Sequence, residues 1–377
     1  MKSVRIALVY DVIYPYVKGG GERRFYEIGT RLAKQGYEVH LYGMKFWDGP
    51  KVIKKDGMYL HGLMKARPLY DANGRRTISQ ALLFGLASFK LITAKFDVID
   101  CCGFPYFSLF PCKIVALLKR KPLYATWHEV WGKKYWKDYL GALGVLGFSI
   151  EYIAARLPDT IIATSDHTKQ LLQKELSTKR PVEVIHNGID MSMLQSVKPV
   201  KSDIDIMYAG RIMNFKNIHL IIEAIASLKK AGTRLNCVII GEGPHKTKLQ
   251  KLATDLHVSR QIQWLGFLEK SEDVYAHMKA AKLFILPSSR EGFGIVLMEA
   301  NACGTPVLTA NFAGNAAKDL IEERDNGYVF MPNITSLSAS IKQALANVKE
   351  LERSSRKVAS KYDWTALTQN IQEVYAL

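Results

Sequence analysis

Short, mainly apolar runs alternate with amphipathic helical stripes along almost the full length of this chain. In the first half the runs fall at residues 4–10, 38–43, 97–101, 122–126, 160–164 and 182–185. In the second they fall at 204–209, 235–240, 262–265, 283–286, 306–309 and 328–331. Runs of this length suit strands better than helices, and their lack of polar alternation means that both faces of a sheet are covered. Strands that alternate with helices build a parallel sheet, so two such series in tandem specify two doubly wound, Rossmann-like α/β domains. The helical stripes agree. After Gly19-Gly20-Gly21 one face collects Phe25, Ile28, Gly29, Leu32 and Ala33 and stops at Gly36; after Lys216 another collects Ile218, Ile221, Ile222, Ile225 and Leu228. The strand rhythm breaks over 191–202, around Pro199. This divides the chain into residues 1–195 and 196–360, with a last helix over 361–377 that either stays with the second domain or packs back on the first.

At 377 residues, each half is long enough to bury a core of its own. The first apolar run leads straight into Asp11 and reads as a strand, not a secretory leader. The longest uncharged stretch, 300–317, is broken by Gly304, Pro306 and Gly314, which rules out a spanning helix there. Five cysteines without CxxC spacing argue against a disulfide framework or structural zinc and place the chain in a reducing cytoplasm.

Chemistry concentrates in four places. Behind the run at 283–286 comes Glu291-Gly292-Phe293-Gly294-Ile295-Val296-Leu297-Met298-Glu299. Glycines at a helix start let backbone N–H groups approach a ligand where the helix dipole favours an anion. A glutamate further along that helix can accept hydrogen bonds from both hydroxyls of a ribose; the plain alternative is a helix cap and a solvated face. Behind the run at 204–209 come Ala209-Gly210-Arg211 and Phe215-Lys216-Asn217. Two cations at that spacing suit a diphosphate leaving group, whose charge grows as the bond to it breaks. Near the start, Lys18-Gly19-Gly20-Gly21-Glu22 lacks the G-x-G-x-x-G spacing of hydride-transfer enzymes. It reads as a loop closing over phosphates from the opposite domain. Thr126-Trp127-His128-Glu129 ends a strand, so His128 lies on the ligand-facing edge, where it either positions a hydroxyl or packs locally.

Together these motifs resemble the large family of retaining glycosyltransferases numbered four, which has the two-domain B-type (GT-B) fold. The likeness spans nearly the whole chain. It is carried by Gly20-Gly21-Glu22, His128-Glu129, His186-Asn187-Gly188-Ile189-Asp190, Gly210-Arg211 with Lys216, Gly241-Glu242-Gly243-Pro244, the 291–299 segment and Asn326-Gly327. The resemblance implies that a hexose moves from a UDP- or GDP-linked donor to a lipid-linked, glycan or other phosphorylated or hydroxyl acceptor. It implies retention of configuration and no metal or other cofactor. Arg211 and Lys216 would bind the donor diphosphate, Glu299 the ribose, and Glu291 with the Gly292, Phe293, Gly294 and Ile295 backbone the sugar and phosphates. Gly20 and Gly21 would line the facing side of the cleft, and His128 the sugar's C6 end. His128, Glu291, Arg211 and Lys216 would then carry catalysis. Two positions depart from the family pattern: Glu129 stands where aspartate is usual, and Asn217 where glycine is commoner.

Three other features bear on function. Asp203-Ile204-Asp205 has the spacing of a metal-binding Asp-x-Asp, but precedes a strand and so sits away from the ligand-facing edge. A sugar-nucleotide epimerase of related fold would bind the same donor, yet has no need of the Arg211/Lys216 pair together with Glu291 and Glu299. The net charge is +17, and residues 1–200 hold 30 Lys and Arg against 17 Asp and Glu. No zinc finger, basic helix or aromatic-studded strand accompanies that charge, which argues against a nucleic-acid partner. Two apolar segments lie among the cations: 78–89 between Arg75-Arg76 and Lys90, and 141–150 after Lys133, Lys134 and Lys137. Each is either a core helix or part of a face that docks on an anionic membrane surface, which would make the chain peripheral on the inner leaflet.

Overall fold

Hydrogen bonding gathers the apolar runs into two separate sheets in this computed structural model, which describes residues 3–71 and 76–377. The chain forms two compact units, Met1–Asn187 with Trp364–Leu377, and Gly188–Asp363. In the first unit the strands are β1 (Arg5–Val9), β2 (Glu38–Lys45), β3 (Val52–Lys55), β4 (Met58–Lys65), β5 (Val98–Cys102), β6 (Leu123–Trp127), β7 (Thr160–Ala163) and β8 (Val182–Val184). They lie in the order β3-β4-β2-β1-β5-β6-β7-β8. All pair in parallel except β3 with β4.

The period of two sorts the central strands cleanly. Ile6 and Leu8 face Phe25, Ile28 and Leu32 of the helix Gly20–Lys34, while Ala7 and Val9 join the opposite core with Leu109, Val115 and Trp136. Right-handed crossovers set which helix covers which face. The steps from β4 to β5, β5 to β6 and β6 to β7 run the same way across the sheet. Helices Ile78–Ala87, Leu109–Lys119 and Gly144–Ala154 therefore form one layer. The step from β1 to β2 runs the other way and puts Gly20–Lys34 on the far side. There it is joined by Trp364–Tyr375, which buries Trp364, Leu367, Ile371 and Tyr375 at helical spacing. The Tyr375 hydroxyl donates to the buried carboxylate of Asp100 at 2.6 Å.

The β3–β4 hairpin was not legible from apolar runs, because β3 has only Val52 and Ile53 before Lys54 and Lys55. Its signal is Asp56-Gly57: both residues have positive φ, at 48° and 84°, as a two-residue hairpin turn requires.

In the second unit six parallel strands, β9 (Ile204–Ala209), β10 (Cys237–Ile240), β11 (Ile262–Gly266), β12 (Ala281–Leu286), β14 (Val307–Ala310) and β16 (Gly327–Phe330), lie in the order β11-β10-β9-β12-β14-β16. The two-residue strands β13 (Arg290–Glu291) and β15 (Gly314–Asn315) pair beside them. Ile218, Ile221, Ile222, Ile225 and Leu228 are all buried, as the stripe after Lys216 predicts. The chain enters this unit at Gly188, ahead of the break in strand rhythm at 191–202. The reason is packing. Leu194 is buried in this core, Val200 N–H donates to the Ala276 carbonyl at 3.1 Å, and Lys279 Nζ donates to the Val197 carbonyl at 2.6 Å. Among the described residues no helix is long and apolar enough to cross a membrane.

Candidate functional site

β9 is where the strand order of the second sheet reverses, with β10 on one side and β12 on the other. Loops that leave the carboxyl ends of strands at such a point part from one another and leave a crevice. Both expected motifs of this unit occupy it. The loop after β9 carries Gly210 and Arg211, then turns through Asn214–Lys216 into the helix His219–Lys230. The loop after β12 carries Arg290 and Glu291 and turns into the helix Ile295–Cys303.

Hydrogen bonds lock the two loops together. Ser289 N–H and Oγ both donate to the Phe215 carbonyl, at 2.8 and 3.1 Å. Asn217 Nδ2 donates to the Pro287 carbonyl at 3.1 Å. Asn217 itself has φ +50°, a left-handed conformation that asparagine tolerates better than most residues. That accounts for asparagine at a position where glycine is commoner. Against this frame Lys216 Nζ donates to Glu291 Oε1 at 2.5 Å. Arg211 is exposed, and its carbonyl accepts from the buried Tyr208 hydroxyl at 3.0 Å.

Glu291 is fixed in turn by the β13–β15 pairing. Three residues on, Gly294 takes φ +93°, and a Cβ there would stand 2.5 Å from the Ala317 Cβ. Only glycine fits, and it brings the Gly292–Ile295 backbone onto a helix start that no side chain caps. Glu299, half-buried one turn later, accepts from the Tyr275 hydroxyl at 2.7 Å. Behind it the buried Asn301 and Asn326 bond to each other at 2.8 Å and to surrounding carbonyls, which fixes the helix against the loop before β16. Asn326-Gly327 is thus a support for the site, outside the crevice.

In the first unit His128 immediately follows β6. Its carbonyl accepts from the Thr164 and Thr168 hydroxyls at 3.2 and 3.3 Å, while its buried Nε2 has no hydrogen-bond partner among the described residues. A Cβ on Gly21 would stand 3.2 Å from that nitrogen and 3.1 Å from the Tyr10 hydroxyl. Burial, helped by the Arg24 charge, pulls the imidazole down to about 3, so the ring is neutral at neutral pH and can serve as a hydrogen-bond partner.

Gly20 and Gly21 form the first turn of the helix Gly20–Lys34, which corrects the expectation of a loop at these two positions. Gly19 supplies the extended residue before the helix, and at Gly21 a Cβ would crowd Tyr10 and His128. Arg24, on the same stripe as Ile28 and Leu32, is buried. It donates to the His186 carbonyl at 2.5 Å and to Asn187 Oδ1 at 3.2 Å, tying that motif to the glycine helix. Burial lowers its pKa to about 10.

The structure therefore brings Lys216 to Glu291, and Gly21 to His128. It pairs Glu299 with Tyr275, which sequence reasoning missed because nothing local marks a tyrosine on a separate helix as its partner. Arg24 was also missed, although an arginine four residues before Ile28 on an apolar stripe is itself a signal. Asp203 and Asp205 both pair with Lys282, at 3.1 and 2.7 Å, and Asp205 also accepts from Asn236 N–H at 2.8 Å. All five cysteines are buried and free.

Comparison with known proteins agrees with this geometry. Residues 18–193 match the family described as Glycosyltransferase Family 4, and residues 193–361 match Glycosyl transferases group 1. The chain is 26% identical to a glycogen synthase of Mycobacterium tuberculosis, over 99% of this chain and 94% of that one. It is 33% identical to the lipopolysaccharide core biosynthesis glycosyltransferase LpsE of Rhizobium meliloti, over 37% of this chain and 41% of that one. Among solved structures it resembles a sucrose-phosphate synthase of Thermosynechococcus elongatus, with TM-score 0.79 at 17% identity, covering 99% and 98% of the two chains. It also resembles the Anabaena protein HepE, solved in complex with UDP and glucose, with TM-score 0.74 at 18% identity and 99% of each chain covered. These likenesses share the GT-B fold, the two family models together span residues 18–361, and the chain belongs to the group 1 glycosyltransferases of family 4 type.

Proposed function

We propose that this enzyme moves a hexose from a UDP- or GDP-linked sugar to a hydroxyl acceptor with retention of configuration and without a metal. The observation that carries the reading is the Lys216–Glu291 pair at the carboxyl ends of β9 and β12, 2.5 Å apart and beside an uncapped helix start. HepE, solved with UDP-glucose, supports the donor class.

In this reading Lys216 and Arg211 stabilise the diphosphate as the bond from the sugar's anomeric carbon to its oxygen breaks. The acceptor hydroxyl attacks on the same face, and its proton passes to the departing diphosphate. Glu291, held by Lys216 in the ligand-free protein, turns to a sugar hydroxyl when the donor takes over the lysine. Glu299 binds the ribose. His128, being neutral, offers Nε2 as an acceptor to a sugar hydroxyl and transfers no proton. The surplus of cations in the first 200 residues supports a cytoplasmic enzyme, peripheral on an anionic membrane and acting on a lipid-linked or phosphorylated acceptor.

The first test is a thermal-shift screen against nucleotide-sugars. A true donor at 100 times its dissociation constant stabilises by about 2.7 kcal/mol. Turnover with that donor should survive a chelator, and proton NMR should show an α-linked product from an α-linked donor. A β product, or release of an epimerised sugar without transfer, overturns the reading.

A further inference from the structure

The helical layer over β1, β5, β6 and β7 has a side that its own core does not use. Helix Ile78–Ala87 buries Ala81 and Phe84, yet leaves Leu82 and Leu86 45% and 66% exposed. Helix Leu109–Lys119 does the same with Leu117 and Leu118, and helix Gly144–Ala154 with Val145 and Leu146. Of the 20 large hydrophobic residues exposed among those described, 14 lie between Ile78 and Ile153. An apolar surface contributed by three neighbouring helices is beyond the scatter of single residues normal for a soluble protein. Residues 76–156, which contain the whole layer, hold 11 Lys and Arg against five Asp and Glu. Two of those five, Asp100 and Glu151, are buried, so the outward charge is strongly positive. Arg75, expected to flank the first segment, lies outside the described residues.

At the edge of this face is a cavity of about 350 Å³. Leu82, Leu143 and Leu146 stand at its exposed rim, and Trp131, Trp136 and Tyr139 form an aromatic wall. Glu151 holds that wall rigid. Its buried carboxylate accepts from Trp136 Nε1 and Trp131 N–H at 2.8 Å, and from Gly132 N–H and the Tyr106 hydroxyl at 3.0 Å. The one charged residue of the lining among those described is Arg76, already paired with the buried Asp11. The interior is therefore apolar and electrically matched, which suits hydrocarbon and not a head group. An apolar cavity of about 150 Å³ takes one benzene ring, so by proportion this one has room for roughly a dozen carbons. Its walls include Phe104 and Trp131, from the loops after β5 and β6. Part of its wall thus stands at the same sheet edge as His128.

We infer that this cavity holds one hydrocarbon chain of a membrane-borne amphiphilic acceptor, while the apolar helical face and its cations lie against the anionic bilayer that carries it. The inference rests on the lipid-linked acceptor of the preceding section.

The reporters are built in, since Trp131 and Trp136 line the cavity. The probes are a bromine-labelled dodecyl phosphate, inorganic phosphate, and vesicles of neutral phosphatidylcholine or of phosphatidylcholine with phosphatidylglycerol, all with brominated acyl chains. The dodecyl phosphate should quench tryptophan emission and inorganic phosphate should not. Anionic vesicles should quench more than neutral ones, and less as salt rises. The double variant L82D/L146D, at two exposed rim positions, should keep its melting temperature. It should lose apparent affinity for the dodecyl phosphate by about tenfold or more, because a charge at the mouth must be desolvated as the chain enters. Equal quenching of the variant, or none of the wild type, overturns the inference. So does a dimer in sedimentation that the double variant dissolves, which would give the face to a second copy. If the chain binds but no nucleotide-sugar is turned over, the proposed reaction falls and the cavity assignment stands. Transfer to a soluble acceptor with no quenching has the opposite meaning.

Discussion

Replacing Lys216 with alanine separates what its pairing does for the fold from what it does for the reaction. The ion pair to Glu291 is short, but it stands at the mouth of a crevice, where each partner keeps some exposure. Each side chain is only 14% exposed, so removing the lysine leaves a largely buried carboxylate without its cation, a loss of about 1–3 kcal/mol. The surrounding loop frame stays intact in the variant, because it depends on Ser289, Asn217 and the Phe215 and Pro287 carbonyls. Loss of one preorganised donor to a developing anion costs turnover roughly 10²–10³-fold, or about 2.7–4 kcal/mol. The expected signature is therefore a loss in turnover larger, in free energy, than the loss in stability. Urea unfolding gives the second quantity. Release of nucleoside diphosphate, at saturating levels of the donor that shifts melting most, gives the first. Glu291→Gln supplies the control: if Lys216 acts only by holding Glu291, the double variant is no worse than either single one. A turnover loss under about tenfold refutes the assignment of Lys216 to the diphosphate.

Glu299→Gln should weaken nucleotide binding with little change in turnover, because a ribose contact exists in ground and transition states alike, whereas Glu291→Gln should lower turnover more; kinetics with the same donor check both. Gly294→Ala should destabilise the second unit by about 1–3 kcal/mol in urea unfolding, since the residue must hold φ +93° with its Cβ against Ala317. His61 is held near 4 by burial and by the neighbouring His40 charge, so it stays neutral in the folded protein and takes up a proton only on unfolding. Stability should therefore fall as pH drops from about 6.5 towards 4, and His61→Gln should remove up to about 1.4 kcal/mol per pH unit from that slope. Unfolding at several pH values reads it.

The sequence and the structure agree wherever a single apolar run decided an element. The six runs of the second half are the six strands of its sheet; β9, β10, β14 and most of β12 are buried on both faces, and only the edge strand β11 shows a half-exposed pattern. Disagreement begins where an element takes its meaning from elsewhere in the chain. β3 is stabilised by its hairpin partner, so an apolar stretch of only two residues ahead of Lys54 and Lys55 hid it from a search for apolar runs. Gly20 and Gly21 look like a loop in sequence, and the tight contacts that a Cβ on Gly21 would make with Tyr10 and His128 appear only in the fold. Lys216 and Glu291 were both named for donor binding, yet their direct pairing, 75 residues apart, depends on the reversal of strand order at β9. The aromatic cavity was invisible for the same reason: Glu151, which gathers its walls, reads in sequence as one more charge on a helix.

Helix Trp364–Tyr375 completes the core that begins with β1, with unit two of the chain translated in between. On the ribosome, the second sheet has all its strands before the first unit can bury Ile6 and Leu8 beneath Trp364 and Ile371. Until then Asp100 lacks the Tyr375 hydroxyl. The nascent first unit thus keeps an open seam along helix Gly20–Lys34 until residues 364–375 have been made. A stop codon or protease cut after Asp363 would spare every strand of the second sheet and unsettle the first.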